Sequence, residues 1–99
     1  MNIKSIKIHG KKYPISPFED SCTSNESVGY NDVKEGYIKY AKDQSIDSLR
    51  DTMLHEIIHV LDYDFQLKLE ERQVHCIATG LLGVLLDNPK ITQFIINKE

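Results

Sequence analysis

Cysteine is scarce in this chain, and the two present, Cys22 and Cys76, lie far apart with no second cysteine two positions away from either. The missing CxxC spacing excludes zinc-knuckle and dithiol redox motifs, so both are read as reduced thiols rather than a disulfide. Long apolar runs are absent as well. The first residues alternate Ile3, Ile6 and Ile8 with lysines, which excludes the apolar segment of a secretory signal, and no stretch reaches membrane-spanning length. A cytoplasmic location is the expectation. Basic charge is also short: 12 Lys and Arg stand against 15 Asp and Glu, interspersed, for a net charge of −3. That leaves no basic stripe for nucleic acid and no polybasic patch for a membrane, so a protein or peptide is the expected partner. Nothing in the composition decides the oligomeric state. At 99 residues there is material for one core and not two, and residues 1–99 are read as a single domain.

What is present begins with strand patterning. Residues 2–9 and 12–18 read as two strands joined by a tight turn at Gly10-Lys11, with Pro14 and Pro17 limiting how far the second can pair as a central strand. His9, near that turn, has no partner at ligand spacing and reads as a solvated surface histidine. Residues 19–27 are Glu, Asp, Ser, Cys, Thr and Asn, which is loop chemistry and the expected mobile segment. Residues 28–30 and 37–41 read as a second strand pair around a turn at 31–36. Residues 36–42 are read as an edge strand that binds extended backbone by strand addition. Tyr30, Tyr37 and Tyr40 read as half-buried sheet residues before anything catalytic.

A helix is expected over about 46–63, with Ser45 as N-cap and Asp47 and Ser48 in its first turn. Its apolar stripe is Ile46, Leu49, Met53, Ile57 and Leu61, widened by Leu54 and Ile58. The helix also carries His55-Glu56-Ile57-Ile58-His59, an HExxH motif whose His55, Glu56 and His59 lie off the centre of that stripe. Residues four apart on a helix sit one turn above each other, so His55 and His59 can offer imidazole nitrogens to one metal ion. Glu56 projects about 100° round, beside such an ion rather than on it, where a general base for water is needed. Zinc is the expected cofactor, although manganese, iron or nickel suit the same ligands. Asp62 falls three residues after His59 on the same side, and is a candidate second-layer acceptor for a ligand imidazole.

The third ligand is not in the motif. The extended form of HExxH that ends in a further Gly and His would need them where this chain has Asp62 and Phe65. A second helix, from near Leu69 or Glu70 to about Asp87, carries Val74, Ile77, Ala78, Leu81, Leu82 and Leu85 as its stripe. An antiparallel hairpin with a short loop at 64–68 brings its first turn back towards the motif, which makes Glu70, Glu71 and His75 the candidates. Either glutamate could equally be an acid placed at a helix N-terminus for the dipole, and periodicity does not choose between them.

The run from Leu54 through Tyr63, then Leu67-Lys68-Leu69-Glu70-Glu71, then Val74 through Leu81 to Asn88-Pro89, resembles the small HExxH proteins encoded by phages and mobile elements. Through them it resembles the ImmA/IrrE group of metallo-endopeptidases, gluzincin-like enzymes whose third zinc ligand is a glutamate on the helix after HExxH. The likeness covers roughly residues 45 to 90. It implies Glu71 as that ligand, aligned on Ile77-Ala78, with Glu70 as the fallback. The group's second helix closes on leucine-leucine-hydrophobic-proline, where this chain has Leu85-Leu86-Asp87-Asn88-Pro89.

Asn88 and Pro89 are read as N-cap and first residue of a short third helix whose Ile91, Phe94 and Ile95 pack on the core. The expected architecture is therefore α+β: a small, mainly antiparallel sheet, a zinc-binding helical hairpin and a C-terminal helix. The expected function is a zinc-dependent metallo-endopeptidase with His55, His59 and Glu71 on the metal and Glu56 as catalytic base. The alternative is a non-catalytic phage or mobile-element binding protein that retains the zinc site.

Overall fold

The computed structural model describes residues 1–18, 29–32 and 36–97, with 29–32 described in backbone only. The expectations for Cys22 and for the loop at 19–27 lie outside the described residues. The fold is α+β. Strands β1 (Ser5–Ile8), β2 (Lys11–Pro17), β3 (Gly29–Asp32) and β4 (Tyr37–Tyr40) precede helices α1 (Ile46–Phe65), α2 (Glu71–Asp87) and α3 (Pro89–Ile96).

The sheet order is β1-β2-β4-β3, with β1/β2 and β3/β4 antiparallel and β2/β4 parallel. The first hairpin turns one residue earlier than the sequence suggests: His9 (φ 50°) and Gly10 (φ 80°) both take left-handed backbone. Two successive positive φ values match the twist of the flanking strands, and glycine accepts the second at no steric cost. β2 is a central strand despite its two prolines. Its partner changes along its length: Lys11 to Pro14 pair with β1, and Ile15 to Pro17 with β4. The missing proline N–H groups therefore fall near a handover rather than in a doubly paired stretch.

Because β4 lies between β2 and β3, it is an interior strand, and strand addition of a substrate at residues 36–42 is excluded. The sheet's edges are β1 and β3. Tyr40 is buried and Tyr37 half-buried, as sheet residues.

α1 is the central layer. On one side Val60, with Leu49, Met53, Ile57 and Leu61, packs onto Ile8, Tyr13, Ile15, Ile38 and Tyr40 of the sheet. On the other, Ile58 and Leu54 meet Val74, Ala78 and Leu69 at the α2 interface. The apolar stripe of α1 is thus two faces serving two neighbours, and Ile46 at its start is exposed. Burial pushes the Tyr13 phenol above its ordinary pKa, with the charges of Asp64 and Tyr63 adding to the shift, so it remains a neutral core group.

Asn88 and Pro89 take the expected N-cap and first helical places of α3. The Asn88 side chain makes no cap bond, and its Nδ2 instead donates to Val84 O at 2.9 Å. Thr92 Oγ1 donates to Leu85 O at 2.9 Å, and that tie holds α3 against the end of α2. No residue of α3 is buried, so Ile91, Phe94 and Ile95 do not join the core. The core lies on the two faces of α1, and the kink at Asn88 leaves α3 next to α2 alone.

Candidate metal centre

Three local features aim the motif. Ser45 Oγ accepts from Ser48 N–H at 3.1 Å and caps α1, which satisfies one of the donors that every helix start leaves open. Gln44 Oε1 accepts from Ser48 Oγ at 2.6 Å and from Thr52 Oγ1 at 2.9 Å, while Gln44 Nε2 donates to Ala41 O at 2.7 Å. Thr52 is buried, and this network ties the chain leaving β4 to the turn directly before His55 and Glu56. Nothing in the motif pattern points to Gln44; the available signal is its spacing of four and eight residues from two hydroxyls on one helix face.

The third feature is the α1–α2 connection. Gln66 ends α1 in left-handed backbone, its N–H directed at Asp62 O and Tyr63 O. Leu67 N–H donates to Asp62 O at 3.0 Å, and Leu69 N–H donates to the Asp62 carboxylate at 3.1 Å. Asp62 therefore braces the loop that returns the chain, instead of accepting from a ligand imidazole. The physical reason is competition: a helix-end carboxylate beside unpaired loop N–H groups satisfies the nearer donor. Glu70 occupies the N-cap of α2 in extended backbone, where its N–H donates to Gln73 Oε1 at 2.8 Å. That places Glu71, not Glu70, as the first residue inside the helix.

The result is a convergence of three side chains. His55 Nε2 and His59 Nε2 are 3.1 Å apart. Glu71 Oε1 is 2.6 Å from His55 Nε2, and Glu71 Oε2 is 3.0 Å from His59 Nε2. Among the described residues these are the side chains whose donor atoms could share one ion. Zinc bonds of about 2.0–2.2 Å at tetrahedral angles separate neighbouring donors by roughly 3.4 Å. The His55 contact at 2.6 Å and the His59 contact at 3.0 Å run to different oxygens of Glu71, so the three side chains would have to open by several tenths of an ångström to share an ion. Two imidazole nitrogens and a carboxylate form a borderline-soft set that suits zinc and other divalent transition metals. The same distances suit imidazole N–H groups donating to the carboxylate and to the neighbouring ring.

Glu56 is 5% exposed. At 100° per residue it falls between His59 and Val60, at the border of the imidazoles and the sheet-facing side of α1. Carboxylates are seldom buried so fully unless paired or functional. His75, the remaining candidate, is exposed, with its ring 6.4 Å from that of His55 and outside the converging set. Cys76 is exposed and free.

His9 is tied down rather than simply solvated: its Nδ1 lies 3.0 Å from Asp64 Oδ2 and its ring meets Phe65 edge-on at 4.8 Å. A crevice of about 510 Å³ lined by Asp62, Tyr63, Asp64, Gln66 and Lys68 opens near the end of α1. None of the three converging residues lines it. Among the described residues no helix is long and apolar enough to cross a membrane. The chain matches no protein-family model, no curated protein and no solved structure.

Proposed function

We propose that this chain is a zinc-dependent metallo-endopeptidase acting on a protein or peptide in the cytoplasm. The observation that supports it is the joint placement of His55, His59 and Glu71 around one point with a buried Glu56 one residue along the same helix. His55, His59 and Glu71 would hold a divalent ion, which when bound would supply Lewis acidity to a water and to a peptide carbonyl. Glu56 takes the proton as water adds to that carbonyl, then delivers it to the amide nitrogen as the C–N bond breaks. Its burial keeps the carboxylate out of competing hydration and fixes where the proton is held. The Gln44–Thr52 network and the Asp62 brace orient the two helices that carry these groups. The sequence resemblance to the ImmA/IrrE group points to the same chemistry.

A second reading is a phage or mobile-element protein that keeps the zinc and works by binding. Its support is the openness of the site: the Glu71 side chain is 67% exposed, and a shallow surface gives little wall for a substrate. Elemental analysis with activity separates the two. Under the peptidase reading, wild type carries one zinc per chain and cleaves casein or a peptide library. Glu56→Gln keeps the zinc and loses at least about 100-fold in rate, while His59→Ala loses the zinc. A zinc-loaded wild type that behaves like Glu56→Gln in every assay supports the binding reading, and a wild type without stoichiometric zinc overturns both.

A further inference from the structure

The C-terminal third of the chain leaves apolar surface that no other described residue covers. On α2, Ile77, Leu81 and Val84 recur at helical spacing and are 45%, 43% and 52% exposed, whereas Val74 and Ala78, facing α1, are fully buried. On α3, Ile91, Phe94 and Ile95 form a second stripe, 49%, 79% and 66% exposed. Full areas of roughly 150–200 Å² per side chain leave on the order of 600 Å² of apolar surface here. Patches of that size on a monomer mark interaction sites.

We infer that this α2–α3 surface is the interface between two copies of the chain. Charge is the first argument. From Gln73 to Leu86 α2 carries no lysine, arginine, aspartate or glutamate, and α3 carries only Lys90. An uncharged surface does not repel its own image across a two-fold axis, and every contact made by one copy is made by the other. A single lysine is too little attraction for an anionic membrane, and an acidic or basic partner would find nothing to pair with. Area is the second. Two such faces, if fully covered, together bury about 1,200 Å², which reaches the lower bound of specific interfaces. At 100° per residue the α2 stripe lies roughly 110° round from Glu71, so the dimer leaves the candidate metal centre open.

Sedimentation equilibrium of the full-length protein from about 10 to about 500 µM tests this. The expected result is a weight-average mass rising from 11.4 kDa towards twice that value. Val84→Lys and Ile91→Asp each place a charge that suits its helix end. Each is expected to weaken association at least about 10-fold, with helical circular dichroism and zinc content unchanged. A wild type that stays at 11.4 kDa throughout overturns the inference, including the case in which it then binds neutral or anionic lipid vesicles or an added amphipathic helix. So does a dimer that neither substitution weakens.

Discussion

α1 and α3 carry the same kind of apolar spacing and end in opposite surroundings. α1 is covered on both sides, Val60 fully buried towards the sheet and Ile58 nearly so towards α2. α3 presents Ile91, Phe94 and Ile95 at equivalent spacing and buries none of them. Periodicity reports that a face exists; what covers it depends on how many neighbours the topology supplies. α1 has the sheet and α2 as neighbours, while α3 has the end of α2 alone. The packed half would then carry the stability of the chain, and the candidate metal centre lies within it, between α1 and the first turn of α2, at the opposite end of α2 from α3.

The sharpest way to break that contrast is a cavity in the packed half. Ile38 is fully buried on β4, an interior strand facing α1. Ile38→Ala is expected to lower the unfolding free energy by about 2–5 kcal/mol, since the closed sheet–helix layer has little freedom to collapse around the lost atoms. Urea denaturation measures it. A loss under about 1 kcal/mol would mean that the layer is not tightly packed and that the two halves do not differ.

A smaller effect probes the candidate metal centre inside the packed half. An ion that binds only the folded hairpin stabilises it by about 2.7 kcal/mol at 100 times its Kd. Zinc is therefore expected to raise the melting temperature of wild type, and a chelator to reverse the rise. Glu71→Gln, which keeps the shape but removes the charge, is expected to abolish most of that increment while leaving the metal-free melting temperature nearly unchanged, because the carboxylate is largely exposed. An equal zinc-induced rise in both proteins would remove Glu71 from the site.

Much of this was legible in the residues because it is local. Ser45 as cap, the span of α1, the strand-then-helix order and the one-turn spacing of His55 and His59 each depend on neighbours within a few positions. The choice of Glu71 over Glu70 is one residue wide, and it turns on where the loop ends. That follows from Asp62 reaching Leu69 N–H, a contact spacing alone does not rank above other partners. The interior position of β4 depends on a parallel pairing between β2 and β4 across the intervening segment, which local alternation does not encode. The exposure of α3 is of the same kind: its stripe was readable, and the absence of a second neighbour was not.

The smallest expected effect is therefore the most pointed. Phe94 is large, aromatic and 79% exposed, so in the monomer it forfeits almost nothing when removed. Phe94→Ser is expected to change the unfolding free energy by no more than about 0.5 kcal/mol at concentrations low enough to keep the chain monomeric. The same substitution would lower stability at high concentration, where the contact between copies adds to the folding free energy by mass action. Thermal melts at two concentrations separate these contributions. A loss of several kcal/mol at the lower one would mean that Phe94 is buried within its own chain and that α3 belongs to the packed half.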